Sequence, residues 1–227
     1  MLELVDRMVS KTIGGNSVWV RFPPRAPNMP ELKYNENFAY VAGVALGDGN
    51  LSNPNGRAVR LRVTCDNKYP KLIDRIKKSI KVLLPENQVS LVGRKRNCTD
   101  VSCYSNKWEK LLGWRADGGS KYKQKVSIPG WIKIKKIYKI ACLKGLIETD
   151  GSVYIDRGYE MVIFKTIIPG LAKDVFELIK SLGFQPHIYK LKGNYDLEHN
   201  FNRKPSYHVR ISKRVREFLD LLQIKKN

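Results

Sequence analysis

Tyr40-Val41-Ala42-Gly43-Val44-Ala45-Leu46-Gly47-Asp48-Gly49 and Cys142-Leu143-Lys144-Gly145-Leu146-Ile147-Glu148-Thr149-Asp150-Gly151 are two copies of one pattern. Each is a glycine-bearing apolar run that ends in an acid followed by glycine. Within each copy a small residue stands four positions before another, Gly43 with Gly47 and Gly145 with Thr149. At helical spacing such pairs share a face and let a second backbone come close. A glycine inside a helix costs roughly 1 kcal/mol relative to alanine, so two such positions require a packing reason. Helix-to-helix contact supplies it. If the copies pack side by side, Asp48 and Asp150 emerge at the same end. Two carboxylates so placed repel unless they are protonated or bridged by a divalent cation. Gly49 and Gly151 are expected to end the helices in the left-handed conformation.

The pair resembles the LAGLIDADG homing endonucleases in the form with two motifs in one chain. Leu143 to Gly151 carries the match with Glu148 and Thr149 as variants. Val41 to Gly49 carries it with Leu46 and Gly47 where the family usually has an acid and an alanine. The resemblance spans Asn37 to about Ile224 and implies an α+β fold of two pseudo-symmetric αββαββα-like half-domains. Their motif helices pair, and their sheets form two saddles for DNA. It implies a monomeric, metal-dependent endodeoxyribonuclease that hydrolyses double-stranded DNA at a specific site, of the kind tied to introns and mobile genetic elements. Mg²⁺ or Mn²⁺ would be held by the carboxylates of Asp48 and Asp150 and the carbonyls of Gly47 and Thr149. The family keeps a polar or basic residue near the metal waters at the end of the strand after each motif. Lys165 takes that place in the second half, and Cys65 in the first.

Composition agrees with a polyanionic partner. Lys plus Arg number 42 against 21 for Asp plus Glu, a net charge of +21. An excess of that size favours nucleic acid. No apolar run approaches the roughly 18 residues of a membrane-spanning helix, so no membrane partner is expected, nor an obligate protein partner. Cys65, Cys98, Cys103 and Cys142 form no C-x-x-C pair, and free thiols in a reducing compartment follow, cytoplasmic or an organellar matrix. His187, His199 and His208 belong to no His-metal motif.

Four segments are expected: a leader over 1–28, a first half-domain over 29–115, a linker over 116–131 and a second half-domain over 132–227. The leader, with Pro23, Pro24, Pro27 and Pro30 at its end, reads as an extended, disordered tail. Its residues can also be encoded by the anticodon arm, T arm and acceptor end of a tRNA gene, which would make Met29 the start.

Asn35 or Asn37 caps the first motif helix. Arg57 to Cys65 alternates, with Arg60, Arg62 and Thr64 on a basic outer face and Val59, Leu61 and Val63 inward. Pro70 and Pro169 open amphipathic helices. Arg94 and Arg96 lie on the polar face of a following strand. Lys190 and Lys192 lie on another, and His208 and Arg210 on the penultimate one. Arg57, Arg60, Arg62, Arg94, Arg96, Lys190, Lys192, His208 and Arg210 are the expected DNA contacts, because strands can enter the major groove and cationic side chains read or grip it there. The alternative from another class is a nucleic-acid-binding module without nuclease activity, an intron maturase or a DNA-binding regulator. Retention of both acids favours the enzyme.

Overall fold

Asn35 starts the first motif helix by accepting a hydrogen bond from the Phe38 amide at 2.8 Å. The computed structural model describes residues 9–13, 16–20 and 34–224, apart from 96, 194, 197 and 199. Before residue 34, β1 (Val9–Ile13) pairs antiparallel with β2 (Asn16–Val20). The sequence reading made this stretch an extended tail. Its β-branched runs on either side of Gly14-Gly15 are a hairpin signal that the prolines overshadowed. A lone two-stranded hairpin is marginal in water.

From residue 34 the order is α1 (Glu36–Leu46), β3 (Gly49–Ser52), β4 (Arg60–Asp66), α2 (Pro70–Leu83), β5 (Val89–Arg94), β6 (Cys98–Tyr104) and α3 (Trp108–Leu112). A 3₁₀ turn, Gly130–Lys133, leads into the second set: α4 (Lys136–Asp150), β7 (Gly151–Asp156), β8 (Tyr159–Thr166), α5 (Pro169–Ser181), β9 (His187–Leu191), the two-residue pair β10 (Tyr195–Asp196) and β11 (Phe201–Asn202), β12 (Ser206–Ile211) and α6 (Val215–Leu221). The two sheets have equivalent orders, β3-β4-β6-β5 and β7-β8-β12-β9, antiparallel at every pairing. The α+β, twice-repeated fold expected from the motifs is the one observed.

One face of each sheet is dry. Leu61, Val63, Val101 and Cys103 are fully buried under α2, and Val162, Phe164, Val209 and Ile211 under α5 and α6. α1 and α4 lie between the halves and pack on each other. Phe38 to Leu46 are buried without interruption, as expected of a helix that is apolar all round. A Cβ on Gly43 would overlap the Cys142 carbonyl, and one on Gly145 would lie 2.5 Å from the Tyr40 carbonyl oxygen. The small residues are therefore where the backbones meet. Beside this contact, the Tyr40 hydroxyl donates to Glu148 Oε2 at 2.8 Å and Arg75 pairs with Oε1 of the same carboxylate. Burial first, and then the Glu148 charge, push the Tyr40 phenol up.

The helix ends differ from expectation. Neither Gly49 nor Gly151 is left-handed; Gly151 is extended at φ −90°, ψ 152°. Glycine is needed for room instead. A Cβ on Gly49 would stand 2.5 Å from Ala45, and one on Gly151 would overlap the Ile147 carbonyl, because β3 and β7 fold straight back over the last helical turn. Gly183 does take the left-handed conformation, φ +88°, and closes α5. All four cysteines are free thiols. Trp108 and Trp114 are buried, and Trp131 stacks with Tyr34 at 4.4 Å and packs on Phe38 at the far end of the motif helices.

Candidate active site and nucleic-acid interface

Asp48 follows Gly47, the cap of α1, and Asp150 is the last residue of α4, so the helix pairing fixes where both carboxylates emerge. Asp150 Oδ2 lies 3.5 Å from the point a Cβ on Gly47 would occupy. The second acid therefore reaches across to the end of the first helix. Burial raises the Asp150 pKa, the Asp48 charge raises it further, and Lys121 partly opposes them, leaving it at about 6. Asp48 is solvent-exposed, yet its carboxyl too is held above the ordinary value by burial, against the pull of Lys121.

Lys121 is the residue that sequence reasoning missed. It comes from the Gly- and Lys-rich stretch between the halves, and its Nζ donates to the carbonyls of Ala45 at 3.3 Å, Leu46 at 2.7 Å and Gly47. An ammonium at the C-terminal end of a helix meets the negative end of its dipole. Burial lowers the Lys121 pKa, while Asp150 and Asp48 raise it. One cation thus balances two acids.

A cavity of about 860 Å³ opens here, lined among others by Gly47, Lys121, Asp150, Lys165, Lys192 and Arg203. Lys165 therefore shares a cavity with one acid. Its equivalence to Cys65 does not hold. Gly49 pairs with Val63 and Gly151 with Phe164, so the counterpart of Lys165 is Thr64, and that of Cys65 is Thr166. A shift of one residue changes the face. Lys165 and Thr64 are exposed on the outer face, whereas Cys65 is buried on the dry one. Burial raises the Cys65 thiol to about 11, with Asp48 and Asp100 adding to it.

The donors fit a hard divalent cation. Two carboxylates that repel each other and the Gly47 carbonyl, which already accepts from a cation, are oxygen ligands of the kind Mg²⁺ or Mn²⁺ takes. The Thr149 carbonyl is one of the last four of α4, which lack an intrahelical donor. Its hydroxyl donates to the Gly145 carbonyl at 2.9 Å and lies against Gly47. Among the described residues no group of three or more His, Cys, Asp or Glu comes together. The acid pair stands as a two-carboxylate site.

Arg60, Arg62 and Thr64 line the outer face of the first sheet, in rows with Ser52, Asn50, Ser102 and Asp100. Arg94 shares this face at the end of β5. Arg57 is exposed in the turn before β4. Arg96 lies outside the described residues, as does His199. On the second sheet Lys165, His208 and Tyr189 form one row, and Ile163, Arg210 and His187 the next. Burial, and then the Lys165 charge, lower the His208 pKa. Lys190 does not join this face; it pairs with Tyr207 on the opposite side, its Nζ 5.8 Å from that ring. Lys192 follows β9 and lines the cavity. The Nε atoms of Arg60, Arg62 and Arg210 are buried without a hydrogen-bond partner among the described residues.

Paired motif helices ending in two acids, set between two sheets with polar outer faces, define the LAGLIDADG fold in its two-halves-in-one-chain form. Residues 138–223 match the family model described as a LAGLIDADG-like domain. The structure is similar to I-DmoI in complex with DNA and Mn, at 17% identity over 85% of this chain and 98% of that one, with a TM-score of 0.58. It is similar too to mesophilic variants of the homing endonuclease I-DmoI, at 18% identity over 84% and 97% of the two chains, TM-score 0.57. Full-length DUF199/WhiA from Thermatoga maritima matches at 13% identity and a TM-score of 0.57, over 88% of this chain but 59% of that one. Curated proteins give no significant sequence match. The LAGLIDADG resemblance holds in fold over 84 to 88% of the chain, and in sequence for residues 138–223. No described helix is long and apolar enough to cross a membrane.

Proposed function

We propose that this protein is a site-specific endonuclease of double-stranded DNA, working as a monomer with Mg²⁺ or Mn²⁺. The observation that carries the reading is the meeting of Asp48 and Asp150 at one end of the paired helices, where burial first and then the Asp48 charge hold the Asp150 carboxyl at about 6. The similar structures of I-DmoI, obtained with DNA and Mn and with DNA and Ca, agree with it.

Asp48, Asp150 and the carbonyls of Gly47 and Thr149 would hold the metal. When bound there, a divalent cation supplies an activated water and offsets charge on the scissile phosphate and the leaving 3′ oxygen. The chain's own side chains do the rest. Lys121 and Lys165 face the cavity beside Asp150 and would balance the phosphate charge. Arg60, Arg62, His208 and Arg210 on the outer faces would bind and orient the duplex, and Arg57 and Lys192 at their margins would grip its backbone.

A second reading, a nucleic-acid-binding module without cleavage, is kept in view by the likeness to DUF199/WhiA. One experiment separates them. A duplex recovered by binding from a randomised library is incubated with the protein and Mg²⁺. Cleavage is expected, and Asp48→Asn or Asp150→Asn should abolish it while binding persists. Substantial cleavage by either variant would remove the acids from the active site. Tight binding with no cleavage by the native protein would establish the second reading.

A further inference from the structure

An acid on a surface that meets a polyanion is out of place by charge alone. Asp100 is such an acid. It stands on β6, on the outer face of the first sheet, between Thr64 on β4 and Val92 on β5, and it is only 3% exposed. The fold does not demand it, because His208 occupies the equivalent position of the second sheet. Its Oδ1 accepts the Thr64 hydroxyl at 2.7 Å. Its Oδ2 accepts Arg94 Nε–H at 2.7 Å and a second bond from Arg94 Nη2. Burial works to raise this carboxyl, but the bonds from Thr64 and Arg94 and the charges of Arg94 and Arg62 outweigh it and hold it below the ordinary range.

These contacts use the inner edge of the Arg94 guanidinium, Nε and one Nη2 hydrogen. Among the described residues no hydrogen bond engages the outer edge, Nη1 with the other Nη2 hydrogen, and the side chain is 48% exposed. A guanidinium carries five donors in a rigid fork and can engage two acceptors side by side. Fixing one edge on a buried carboxylate removes most of the rotamer freedom that binding would otherwise cost. In the major groove the acceptor pair that matches a guanidinium fork is guanine O6 and N7.

Resting on the DNA-binding reading above, we infer that Asp100 is a positioning residue, held by Thr64, that presents Arg94 as a guanine-reading fork on the first half's sheet. The second half has no matching acid, so this reading of guanine belongs to one half-site only.

The test uses the full chain in metal-free buffer, a duplex recovered from a randomised library, its single-base-pair variants and an unrelated duplex. Arg94→Lys and Asp100→Asn should both lose discrimination at the same guanine, by roughly 5- to 150-fold. Discrimination at other positions should be unchanged, and Asp100→Asn should bind the unrelated duplex no more weakly than the native protein. A merely structural role for Asp100 would weaken every sequence alike, and that outcome overturns the proposal, as does retained discrimination in Asp100→Asn. If Asp100→Asn fails to fold, the exposed Arg94→Lys decides: loss at one guanine supports the fork and full discrimination refutes it. A native protein with no preference over the unrelated duplex refutes the DNA-reading function itself, a distinct result.

Discussion

Gly145→Ala tests the closeness of the motif helices, on which the whole site depends. The new Cβ would stand 2.5 Å from the Tyr40 oxygen and 2.7 Å from the Val44 nitrogen. Both are backbone atoms, so no side chain can swing away. Real Cβ contacts essentially never fall under 3.0 Å, so α1 and α4 must part by at least 0.5 Å, the difference between 3.0 and 2.5. Overpacking of a tight interior costs about 1–3 kcal/mol, and backbone contact places this case at the upper end. Replacing a mid-helix glycine with alanine returns about 1 kcal/mol. A net loss of about 2 kcal/mol lowers the melting temperature of a chain this size by roughly 4–8 °C. Gly170→Ala is the control: Gly170 sits in α5 with open space around its Cβ position, so the same substitution should be neutral or stabilising by up to about 1 kcal/mol. Differential scanning calorimetry of the two variants reads the result directly. An unchanged or raised melting temperature for Gly145→Ala would show that the helices do not meet at these glycines.

The folded protein keeps the Asp150 proton up to about pH 6, whereas an ordinary aspartate releases it near 3.8. Between those values the folded state binds more protons than the unfolded chain, so stability falls as pH rises and stays low above about 6. Without metal, Asp150→Asn should therefore stabilise the protein at pH 7.5, on the order of 3 kcal/mol, and give little gain at about pH 3, below the unfolded value. A gain equal at both pH values in thermal melts would contradict the assignment. Lys121→Met removes an ammonium from three carbonyls and two acids, so stability should drop by about 2 kcal/mol and Asp150 should titrate above about 6. NMR titration showing Asp150 unmoved would refute the electrostatic link. A protein starting at Met29 should keep its melting temperature and cleavage, because α1 carries its own cap at Asn35; a lower melting temperature would show that residues 1–28 contribute to folding.

The repeated motif, the prolines opening α2 and α5, and the alternation of Arg60 to Cys65 made the α+β repeat legible from sequence. These are local signals, each set by one element's own packing. Features that depend on how elements meet were not legible. β3 is only four residues long, too short for its own pattern to mark it, so that only the family resemblance suggested a strand near Leu51; it exists because β4 pairs with it. Lys121 is a lysine among lysines, and only the path of the connecting segment places its Nζ over the end of α1. The pairing of Lys165 with Cys65 failed because a strand's end, unlike its register, does not say which face a side chain takes. Lys190 went astray for the same reason. Asp100 drew no notice because an acid in a basic strand reads as an ordinary surface residue until Thr64 and Arg94 close on it.

The Tyr40–Glu148–Arg75 contact is lopsided in a way that the pseudo-symmetry makes plain. Laying one motif on the other sets Cys142 over Tyr40 and Leu46 over Glu148, and aligning Pro70 with Pro169 sets Asp174 over Arg75. Two copies of the second half would bury each Glu148 against a thiol and another acid, with no phenol or guanidinium to receive it. Two copies of the first half would set Tyr40 against leucine. Each half is thus matched to its sister and mismatched to itself, so partner choice between tethered halves is encoded by one carboxylate.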